Sequence, residues 1–184
     1  MKSFIIAGAS RSGKTTLAKQ LQKETGFSLI SADALICTFE HLYPQLEIKH
    51  SLEFEKICAS FRPFIIEYIE HLRKYQGISF ILDIFHLTPE TAIQEELHKK
   101  YNLVFVGYPN ATPEQKLKDI RQFKNDVDDW TDEVEDTEML KNIDAFIVWS
   151  KKLKEECATL GLPFIDTSKD FLAKVEMAYK ALLG

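Results

Sequence analysis

Residues 4–16 of the chain read FIIAGASRSGKTT, and this segment is the strongest indication of the fold. Its first four residues are an apolar run without alternation, which is typical of a parallel strand buried on both faces. Residues 8–15 match the pattern GxxxxGK[ST], and Leu17 and Leu21 follow at helical spacing, with Gly26 as a stop for the helix. A strand, a glycine-rich loop and a helix in this order predict a phosphate-binding loop.

The spacing of this loop has a chemical explanation. Its two glycines allow backbone angles that turn successive N–H groups inward, around the oxygens of a bound phosphate. The helix that follows presents its unpaired N–H groups and the positive end of its dipole to the same anion. Lys14 is expected to reach the β- and γ-phosphates, and the Thr15 hydroxyl is expected to bind Mg²⁺. The residues predicted to bind the nucleotide are Gly8, Ala9, Ser10, Arg11, Ser12, Gly13, Lys14, Thr15 and Thr16.

Length and composition limit the remaining possibilities. The chain has 184 residues, 45% of them apolar and 28% charged, which fits one globular domain over residues 1–184 and excludes a disordered or low-complexity protein. Its net charge of −5 speaks against a nucleic-acid binder. No apolar run reaches membrane-spanning length, so we expect a cytoplasmic protein that does not contact membranes. Cys37, Cys58 and Cys157 form no CxxC pair, and we expect them to be reduced and buried.

Four further apolar runs alternate with helical patterns along the chain. These runs, which predict strands, are residues 28–31, 78–83, 103–107 and 162–166. Helices are predicted over residues 34–42, 113–124, 139–157 and 171–183. An apolar stripe runs from Ile57 to Leu72, and Pro63 is expected to begin a second helix within it. The alternation predicts a doubly wound α/β fold, in which helices cover both faces of a parallel sheet.

Taken together, the strand, loop and helix make the chain resemble the phosphate-loop NTPases. Its length is similar to that of their small-molecule and nucleotide kinases, a group that includes adenylate-kinase-like and shikimate-kinase-like enzymes. The NKxD motif of GTPases and the LSGGQ motif of transporter ATPases are absent. The resemblance implies a three-layer α/β/α fold with a five-stranded parallel sheet of order 2-3-1-4-5. It also implies a helical substrate-binding region over residues 34–76 and a lid-like segment over residues 113–137.

Asp83 is the predicted second metal-binding residue. It ends the third apolar run, where the kinase family places the aspartate that holds magnesium through water. The stretch ILDIFHLT, residues 81–88, resembles the LDGFPRT segment of adenylate kinases, but Ile84, His86 and Leu87 replace its glycine, proline and arginine. The last of these departures removes a phosphate-binding cation. The alternative is that Asp83 only caps the following turn.

Asp33 is the predicted partner of the acceptor hydroxyl. It lies just past the second apolar run, at the carboxyl edge of the predicted sheet, where ligands gather in open α/β folds. Many kinases of small hydroxyl compounds carry a carboxylate there, which implies that Asp33 orients the acceptor and takes its proton. The alternative is that Asp33 is the N-cap of the helix over residues 34–42.

Arginines are scarce in this chain: the whole supply is Arg11, Arg62, Arg73 and Arg121. Arg121 lies at about the place of a lid arginine of the kinase family, which implies that it offsets charge developing on the phosphates. The alternative is an ion pair with Glu114 or Asp119 on a solvated helix. Arg62 is expected to contact the substrate and Arg73 to be structural. Weaker candidates for phosphate contacts are Lys116 and Lys124.

So few arginines favour an acceptor with little negative charge, such as a nucleoside, a sugar or another alcohol. Residues 125–136 contain seven carboxylates, which would repel a phosphorylated acceptor, although an ordinary solvated loop is the alternative. Trp130 in this segment and Phe85 are predicted substrate contacts. The residues expected to shape the substrate pocket are Phe39, Phe54, Phe61 and Phe85. Residues 166–168 lie where the kinase family has its adenine-contacting loop.

These observations predict an ATP-dependent kinase that transfers the γ-phosphate of Mg·ATP to a hydroxyl group of a small molecule. The cofactors are ATP and Mg²⁺, and the predicted catalytic residues are Lys14, Asp33 and Arg121. Two alternatives stay open at this point. One is a nucleoside-monophosphate kinase, and the other is a protein that binds ATP without transferring phosphate. The sequence does not indicate an oligomeric state.

Overall fold

Five parallel strands form the centre of the structure, a computed structural model that describes residues 2–122 and 130–183. The strands are β1 (Phe4–Gly8), β2 (Ser28–Ser31), β3 (Phe80–Ile84), β4 (Asn102–Gly107) and β5 (Phe164–Asp166). They pair in the order β2-β3-β1-β4-β5, which confirms the predicted order. β3 and β5 each begin two residues later than their apolar runs suggest.

Helices cover both faces of this sheet, which confirms the three-layer α/β/α fold. They are α1 (Lys14–Thr25), α2 (Ala32–Leu42), α3 (Phe54–His71), α4 (Pro89–Gln94), α5 (Leu97–Lys100), α6 (Pro113–Gln122), α7 (Asp136–Leu160) and α8 (Phe171–Leu183). Short 3-10 turns lie at Pro44–Leu46 and Trp130–Asp132, and a π turn extends α3 over Leu72–Gln76. Across residues 2–122 and 130–183, no helix is long and apolar enough to cross a membrane.

β1 shows why the apolar runs do not alternate. All five of its residues are buried, because helices pack on both sides of the strand. Phe4 and Ile6 face a hydrophobic cluster with α1 and α8, and Ile5 and Ala7 face a second cluster with α2 and α3. Burying one large apolar side chain contributes about 1.5–3 kcal/mol, so both faces of this strand stabilise the sheet.

The carboxyl ends of the strands meet at one edge of the sheet, where the candidate site lies. β1 runs into the glycine loop, β2 runs into the first turn of α2, and β3 carries Asp83 near its end. In the register of the sheet, Asp83 is opposite Ile6 of β1 and Ser31 of β2. The parallel arrangement therefore brings three separate segments of the chain to the same place.

Pro63 does not begin a second helix, so that expectation is wrong. It lies inside α3, which continues from Phe54 to His71. A proline within a helix removes a backbone hydrogen bond and costs about 3 kcal/mol. Buried apolar residues on both sides of Pro63 outweigh this cost by packing into the core, and they are Ile57, Phe61, Ile65 and Ile69.

The cysteines are only in part as expected. Cys157 is buried and Cys58 is half-buried, but Cys37 is exposed, which corrects the prediction that all three are buried. Cys37 lies on α2, on the side that faces His50, with 3.9 Å between its Sγ and Nδ1 of the imidazole. This face of α2 borders a cavity rather than the core, which explains the exposure of Cys37.

Candidate active site

Two glycines of the phosphate-binding loop have conformations that other residues tolerate poorly. Gly8 has φ +136°, and a Cβ atom built there would lie 1.9 Å from the carbonyl oxygen of Val106. Gly13 has φ +99°, and its Cβ would lie 2.8 Å from the ring of Phe171. The first glycine therefore lets the loop leave the sheet against β4, and the second lets α1 begin against α8.

Contacts from three other segments hold the loop in shape. The amide of Ala9 donates to the carbonyl of Val106 over 3.0 Å. The Tyr108 hydroxyl donates to the carbonyl of Ser10 over 2.8 Å, and the Thr167 hydroxyl donates to the carbonyl of Ser12 over 3.1 Å. Burial raises the pKa of the Tyr108 phenol, so the phenol keeps its proton and stays a donor. These bonds preorganise the backbone before any phosphate arrives.

Arg11 links the loop to a distant part of the chain. Its φ is +60°, a left-handed conformation at a residue with a side chain. Its guanidinium donates to the hydroxyl oxygen of Thr131, in the 3-10 turn that precedes α7. Arg11 thus connects the loop to the described end of the predicted lid-like segment.

Lys14 is the first residue of α1, and its side chain lies across the loop. The residue is 7% exposed, and its Nζ donates to the carbonyl of Ala9 over 2.9 Å. The same ammonium lies 5.9 Å from the centre of the Phe85 ring. A nearly buried cation at the N-terminus of a helix provides strong electrostatic stabilisation for a bound phosphate.

Thr15 and Asp83 form the candidate magnesium site. The Thr15 hydroxyl donates to Oδ2 of Asp83 over 2.6 Å. Burial raises the pKa of Asp83, while the charge of Lys14 and the bond from Thr15 lower it and the charge of Asp33 raises it again. A hydroxyl and a carboxylate are oxygen donors that suit Mg²⁺, so the residues present fit this ion.

Nucleotide phosphates and water would have to complete the coordination of Mg²⁺. Across residues 2–122 and 130–183, no three His, Cys, Asp or Glu side chains form a group that could hold a metal ion by themselves. Mg²⁺ usually keeps several waters and binds through one or two carboxylates together with substrate phosphates, which is the pattern this pair of residues suits.

A cavity of about 170 Å³ lies over the loop, and we call it the phosphate cavity. Its lining residues are Ser10, Arg11, Gly13, Lys14, Thr15, Thr16, Asp33, Asp83, Lys116, Asp119, Ile120 and Phe171. The cations among these described residues are Arg11, Lys14 and Lys116. Their convergence on one small cavity suits a polyphosphate.

Lys116 is a stronger candidate for a phosphate contact than the sequence indicates. It is 4% exposed, and its Nζ lies 4.4 Å from the centre of the Tyr108 ring and 5.5 Å from that of Phe171. Burial lowers the pKa of Lys116 to about 8, with Asp119 raising it and Arg11 lowering it further. One signal in the sequence pointed to it, since Lys116 lies four residues before Ile120 on the buried face of α6.

A second cavity of about 560 Å³ lies beside the phosphate cavity, and we call it the acceptor cavity. Its lining residues are Ser10, Lys14, Asp33, Cys37, His50, Leu52, Phe54, Ile57, Phe85, His86, Asn142 and Phe146. Ser10, Lys14 and Asp33 line both cavities. The two cavities therefore meet at the end of the lysine side chain.

Asp33 lies at this junction with its carboxylate exposed. The N-cap of α2 is Ser31, whose hydroxyl oxygen accepts a hydrogen bond from the amide of Ala34 over 3.3 Å. The alternative interpretation of Asp33 as the N-cap is therefore wrong. The carboxylate of Asp33 does not cap α2, and it borders both cavities.

Of the four phenylalanines predicted to shape the substrate pocket, two line the acceptor cavity and two do not. Phe85 and Phe54 line the acceptor cavity, as expected of them. Phe61 is fully buried in the core, and Phe39 packs edge-to-face on Phe64 with 4.5 Å between ring centres. Phe61 belongs to the core cluster and Phe39 packs against it, and neither lines the acceptor cavity, so the prediction that they shape the pocket is corrected.

Arg62 and Arg73 of the chain form hydrogen bonds with glutamates outside the two cavities. Arg62 donates to Oε1 of Glu95, through Nε over 3.1 Å and through Nη2, and so connects α3 to the end of α4. Its predicted substrate contact gains no support from this position. Arg73 donates to Glu70 over 2.8 Å, which agrees with a structural role.

Arg121 connects α6 to residues 131–136. It donates to the carbonyl of Val134 and to Oδ1 of Asp136, each over 2.8 Å, and to the carbonyl of Thr131 over 2.5 Å. The alternative ion pair with Glu114 or Asp119 is replaced by this pair with Asp136. Among the described residues that line the phosphate cavity, α6 contributes Lys116 rather than Arg121.

Some predicted residues are outside the described part of the structure. Lys124, Asp126, Asp128 and Asp129 are outside it, as is the side chain of Trp130. The predicted stacking of Trp130 on a substrate and the boundaries of the lid-like segment therefore stay predictions.

The segment that follows β5 is well anchored beside the loop. Asp166 accepts hydrogen bonds from the amide of Ser168 over 3.0 Å and from the side chain of Asn110 over 2.7 Å. A cavity of about 700 Å³ is lined by residues 167–173 together with Gln115, Asp119 and Gln122 of α6. It shares Asp119 and Phe171 with the phosphate cavity. The two cavities are therefore adjacent.

Comparison with known proteins identifies the fold. A gluconokinase from Sinorhizobium meliloti has a TM-score of 0.60 and 13% identity over 99% of this chain and 91% of that one. A shikimate kinase from Bacteroides thetaiotaomicron has a TM-score of 0.59 and 15% identity over 99% and 97% of the two chains. A shikimate kinase from Acinetobacter baumannii in complex with shikimate has a TM-score of 0.56 and 19% identity over 99% and 91%.

The chain therefore has a P-loop kinase-like fold, as the resemblance of its loop implies. No protein-family model and no curated protein matches the sequence. At identities of 13% to 19%, the likeness concerns the fold, and the chemistry has to be argued from the residues of the site.

Proposed function

We propose that this protein transfers the γ-phosphate of Mg·ATP to a hydroxyl group of a small molecule. The hydroxyl oxygen attacks the γ-phosphorus, the bond between that phosphorus and the β,γ-bridging oxygen breaks, and ADP leaves. The proton of the hydroxyl passes to the carboxylate of Asp33. The neighbours named gluconokinase and shikimate kinase support this proposal at the level of the fold.

The observation that carries the proposal is the junction of two cavities at three residues. Ser10, Lys14 and Asp33 line both the phosphate cavity and the acceptor cavity. A terminal phosphate bound by Lys14 would lie at the mouth of the acceptor cavity, with Asp33 beside it. Such an arrangement brings the donor and the acceptor together in one geometry, which is a major source of rate enhancement.

On the donor side, each residue has a role that follows from its contacts. The amides of the loop and Lys14 would bind the β- and γ-phosphates, and Lys116 would add a third cation beside Arg11. Thr15 and Asp83 would hold Mg²⁺, which when bound offsets the negative charge of the phosphates. The base of the nucleotide fits the cavity formed by residues 167–173 and α6.

Arg121 has a different role in this proposal from the one its position in the sequence implies. Its guanidinium makes several bonds to residues 131–136, so contact with phosphate would require those bonds to break. Lys116 is better placed to offset charge, because it already lines the phosphate cavity. We assign Arg121 the positioning of residues 131–136 against α6.

The test is the release of ADP across a panel of small hydroxyl compounds, measured for the wild type and for Lys14→Ala. We expect the acceptor-dependent rate to fall about 100-fold or more, since Lys14 stabilises charge that develops during transfer. Lys19→Ala is the matched control, because Lys19 is an exposed lysine of the same helix. Equal rates for the wild type and Lys14→Ala would overturn the proposal.

A further inference from the structure

The acceptor cavity has a chemical character of its own, which bears on the acceptor that it takes. Its volume of about 560 Å³ lies within the range of about 300–1,000 Å³ that is usual for small-molecule sites. Beyond the three residues shared with the phosphate cavity, its lining is mostly apolar or aromatic. The polar side chains there are Cys37, His50, His86 and Asn142.

Aromatic rings form one wall of the acceptor cavity. Phe54 stacks on His86 with 5.6 Å between ring centres and an interplanar angle of 27°. Phe85 lies 5.1 Å from Phe54 and 6.0 Å from Phe146, both in edge-to-face arrangements. Walls of this kind favour flat, unsaturated rings, which can stack or pack edge-to-face against them. A polyhydroxylated chain would instead lose its hydration against these rings without gaining hydrogen bonds.

The permanent charges of the acceptor cavity lie at its junction with the phosphate cavity. Among the described lining residues they are Lys14, whose ammonium donates to the carbonyl of Ala9 in the loop, and Asp33. The imidazole of His50, which also lines the cavity, already has a partner in Glu40, with 3.4 Å between Nδ1 and Oε2. Arg62 of α3, a predicted substrate contact, is paired with Glu95. A carboxylate or phosphate on the acceptor would therefore be desolvated beside Asp33 without a cation of its own.

His86 adds a polar group to this wall without adding charge. It is 6% exposed, and its Nδ1 atom has no hydrogen-bond partner among the described residues. Burial lowers the pKa of His86 to about 4, helped by the charges of His50 and Lys14, so the imidazole is neutral near pH 7. A neutral imidazole can pair with a nitrogen or oxygen atom carried by a ring, whereas it gives no ion pair to an anion.

From these observations we infer that the acceptor is an uncharged alcohol that carries a planar ring, such as a nucleoside or an aromatic alcohol. The inference rests on the proposed phosphate transfer and names the substrate class for it. The ring packs against the wall formed by Phe54, Phe85 and Phe146, and the hydroxyl group reaches Asp33 and Lys14.

The experiment measures binding and transfer separately for matched compounds. Binding is measured by calorimetry with Mg²⁺ and a non-hydrolysable ATP analogue, and transfer is measured as ADP release with ATP. One pair is 4-(hydroxymethyl)benzamide and 4-(hydroxymethyl)benzoate, which share a ring and differ in charge. A second pair is thymidine and its 5′-monophosphate, and glucose is an uncharged compound without a planar ring. We expect the neutral member of at least one pair to bind at least tenfold more tightly than its anion and than glucose.

Variants connect this preference to the cavity. Phe54→Leu removes one ring of the wall and should weaken binding of the planar alcohol about 2- to 10-fold. Phe64→Leu is the matched control, because Phe64 packs in the aromatic cluster of Phe39 and Tyr68 behind the cavity. Asn142→Arg places a cation in the lining and should shift the preference toward the anionic member of each pair.

The outcomes separate this inference from the proposed function. Tighter binding of the anions or of glucose, or no binding of either planar alcohol at millimolar concentration, overturns the inference. If the protein releases ADP in the presence of an anion or of glucose, the proposed phosphate transfer still holds. If a planar alcohol binds with the expected pattern of variants but releases no ADP, the proposed transfer fails while the ring site is supported. Comparison of thymidine with the benzamide shows which kind of ring the cavity prefers.

Discussion

The Thr15 hydroxyl donates a 2.6 Å hydrogen bond to Oδ2 of Asp83, across 68 residues of sequence. Thr15 comes from the first turn of α1, and Asp83 comes from the end of β3. Without a metal ion, this bond and the nearby Lys14 are what offset the charge of the partly desolvated carboxylate. Burying an ionised carboxylate lowers the stability of the folded protein, and such costs are typical of functional sites.

The first prediction concerns the variant Asp83→Asn. Replacing the carboxylate with an amide removes a desolvated charge, so we expect the free energy of unfolding without nucleotide to be unchanged or to rise by about 1 kcal/mol. The same variant should need at least about tenfold more Mg²⁺ for stabilisation by ATP, since Mg²⁺ loses an anionic partner. Thermal unfolding over a magnesium titration measures both effects. Asp144→Asn, at an exposed position of α7, is the control. An unaltered magnesium requirement in Asp83→Asn would contradict the metal role.

The second prediction is a pH dependence of nucleotide binding that arises from Lys116. Its pKa is about 8, lowered first by burial, and the groups that face it are Arg11, Asp119, Tyr108 and Phe171. As the pH rises from 7 to 9, Lys116 in the free protein loses its proton, and binding of Mg·ATP should weaken by up to about tenfold. Calorimetric titrations at several pH values measure this change.

The sign of the effect on folding is opposite. In the unfolded chain lysine keeps its charge up to about pH 10, so the folded state holds fewer protons between pH 8 and 10. Without nucleotide, the free energy of unfolding therefore increases through Lys116 as the pH rises, whereas the affinity for Mg·ATP decreases. Lys116→Arg keeps its charge throughout this range and should bind Mg·ATP with a nearly constant affinity. Lys118→Arg, on the exposed side of the same helix, should keep the wild-type profile. A wild-type slope that persists in Lys116→Arg would assign it to another group.

The third prediction tests a structural charge cluster far from the cavities. Glu70 is 8% exposed, and it accepts hydrogen bonds from the Tyr101 hydroxyl over 2.9 Å and from Arg73 over 2.8 Å. Burial alone would raise the pKa of Glu70, but the bonds from Arg73, Tyr101 and Lys74 outweigh it and lower the pKa to about 2. The ionised carboxylate therefore ties the end of α3 to Tyr101, which precedes β4.

Glu70→Gln should lower the free energy of unfolding by about 1.5–3 kcal/mol at pH 7, because the bonds involve a charged group. The folded pKa lies below the ordinary value of 4.5, so this contribution is present above about pH 4.5 and is lost as the pH falls toward 2. Urea denaturation at pH 7, 5 and 3 measures the shrinking difference between wild type and variant. Glu67→Gln, an exposed position of the same helix, should change stability by less than about 1 kcal/mol. A difference between wild type and Glu70→Gln that grows on acidification would refute this account.

Local sequence patterns were enough to predict the fold and the positions of the glycine loop, Asp33 and Asp83 at one edge of the sheet. The loop of residues 8–15 lies between adjacent elements, and Asp33 and Asp83 each follow an apolar run, so the parallel sheet brings them to one edge. These relationships depend on secondary structure and on the strand order alone. The location of a residue that depends only on its neighbouring strand or helix can be predicted from the local sequence pattern.

The acceptor side could not be predicted in the same way, because long-range packing decides it. Asn142 and Phe146 of α7 line the cavity together with His50 and Phe54, from segments about 90 residues earlier in the chain. The sequence pattern does not distinguish Phe54, which lines the cavity, from Phe61, which is buried in the core. The partners of the arginines, Glu95 for Arg62 and Asp136 for Arg121, are likewise set by contacts between distant elements.

The last prediction compares two glycines that both have positive φ but lie in different surroundings. Gly8 and Gly26 both have positive φ, 136° and 69°, so an added side chain is strained at either position. At Gly26 a Cβ atom would meet nothing within 4 Å, whereas at Gly8 it would lie 1.9 Å from the carbonyl oxygen of Val106. Gly26→Ala should therefore cost about 1–2 kcal/mol, from backbone strain alone. Gly8→Ala should cost at least about 3 kcal/mol, because φ +136° lies outside the left-handed helical region that alanine can adopt and because β1 and β4 must also move apart. It should also weaken stabilisation by Mg·ATP, since the bond from the Ala9 amide to Val106 holds the loop. Urea denaturation with and without Mg·ATP tests the pair, and equal costs at both sites would show that close packing against β4 is not what requires a glycine at position 8.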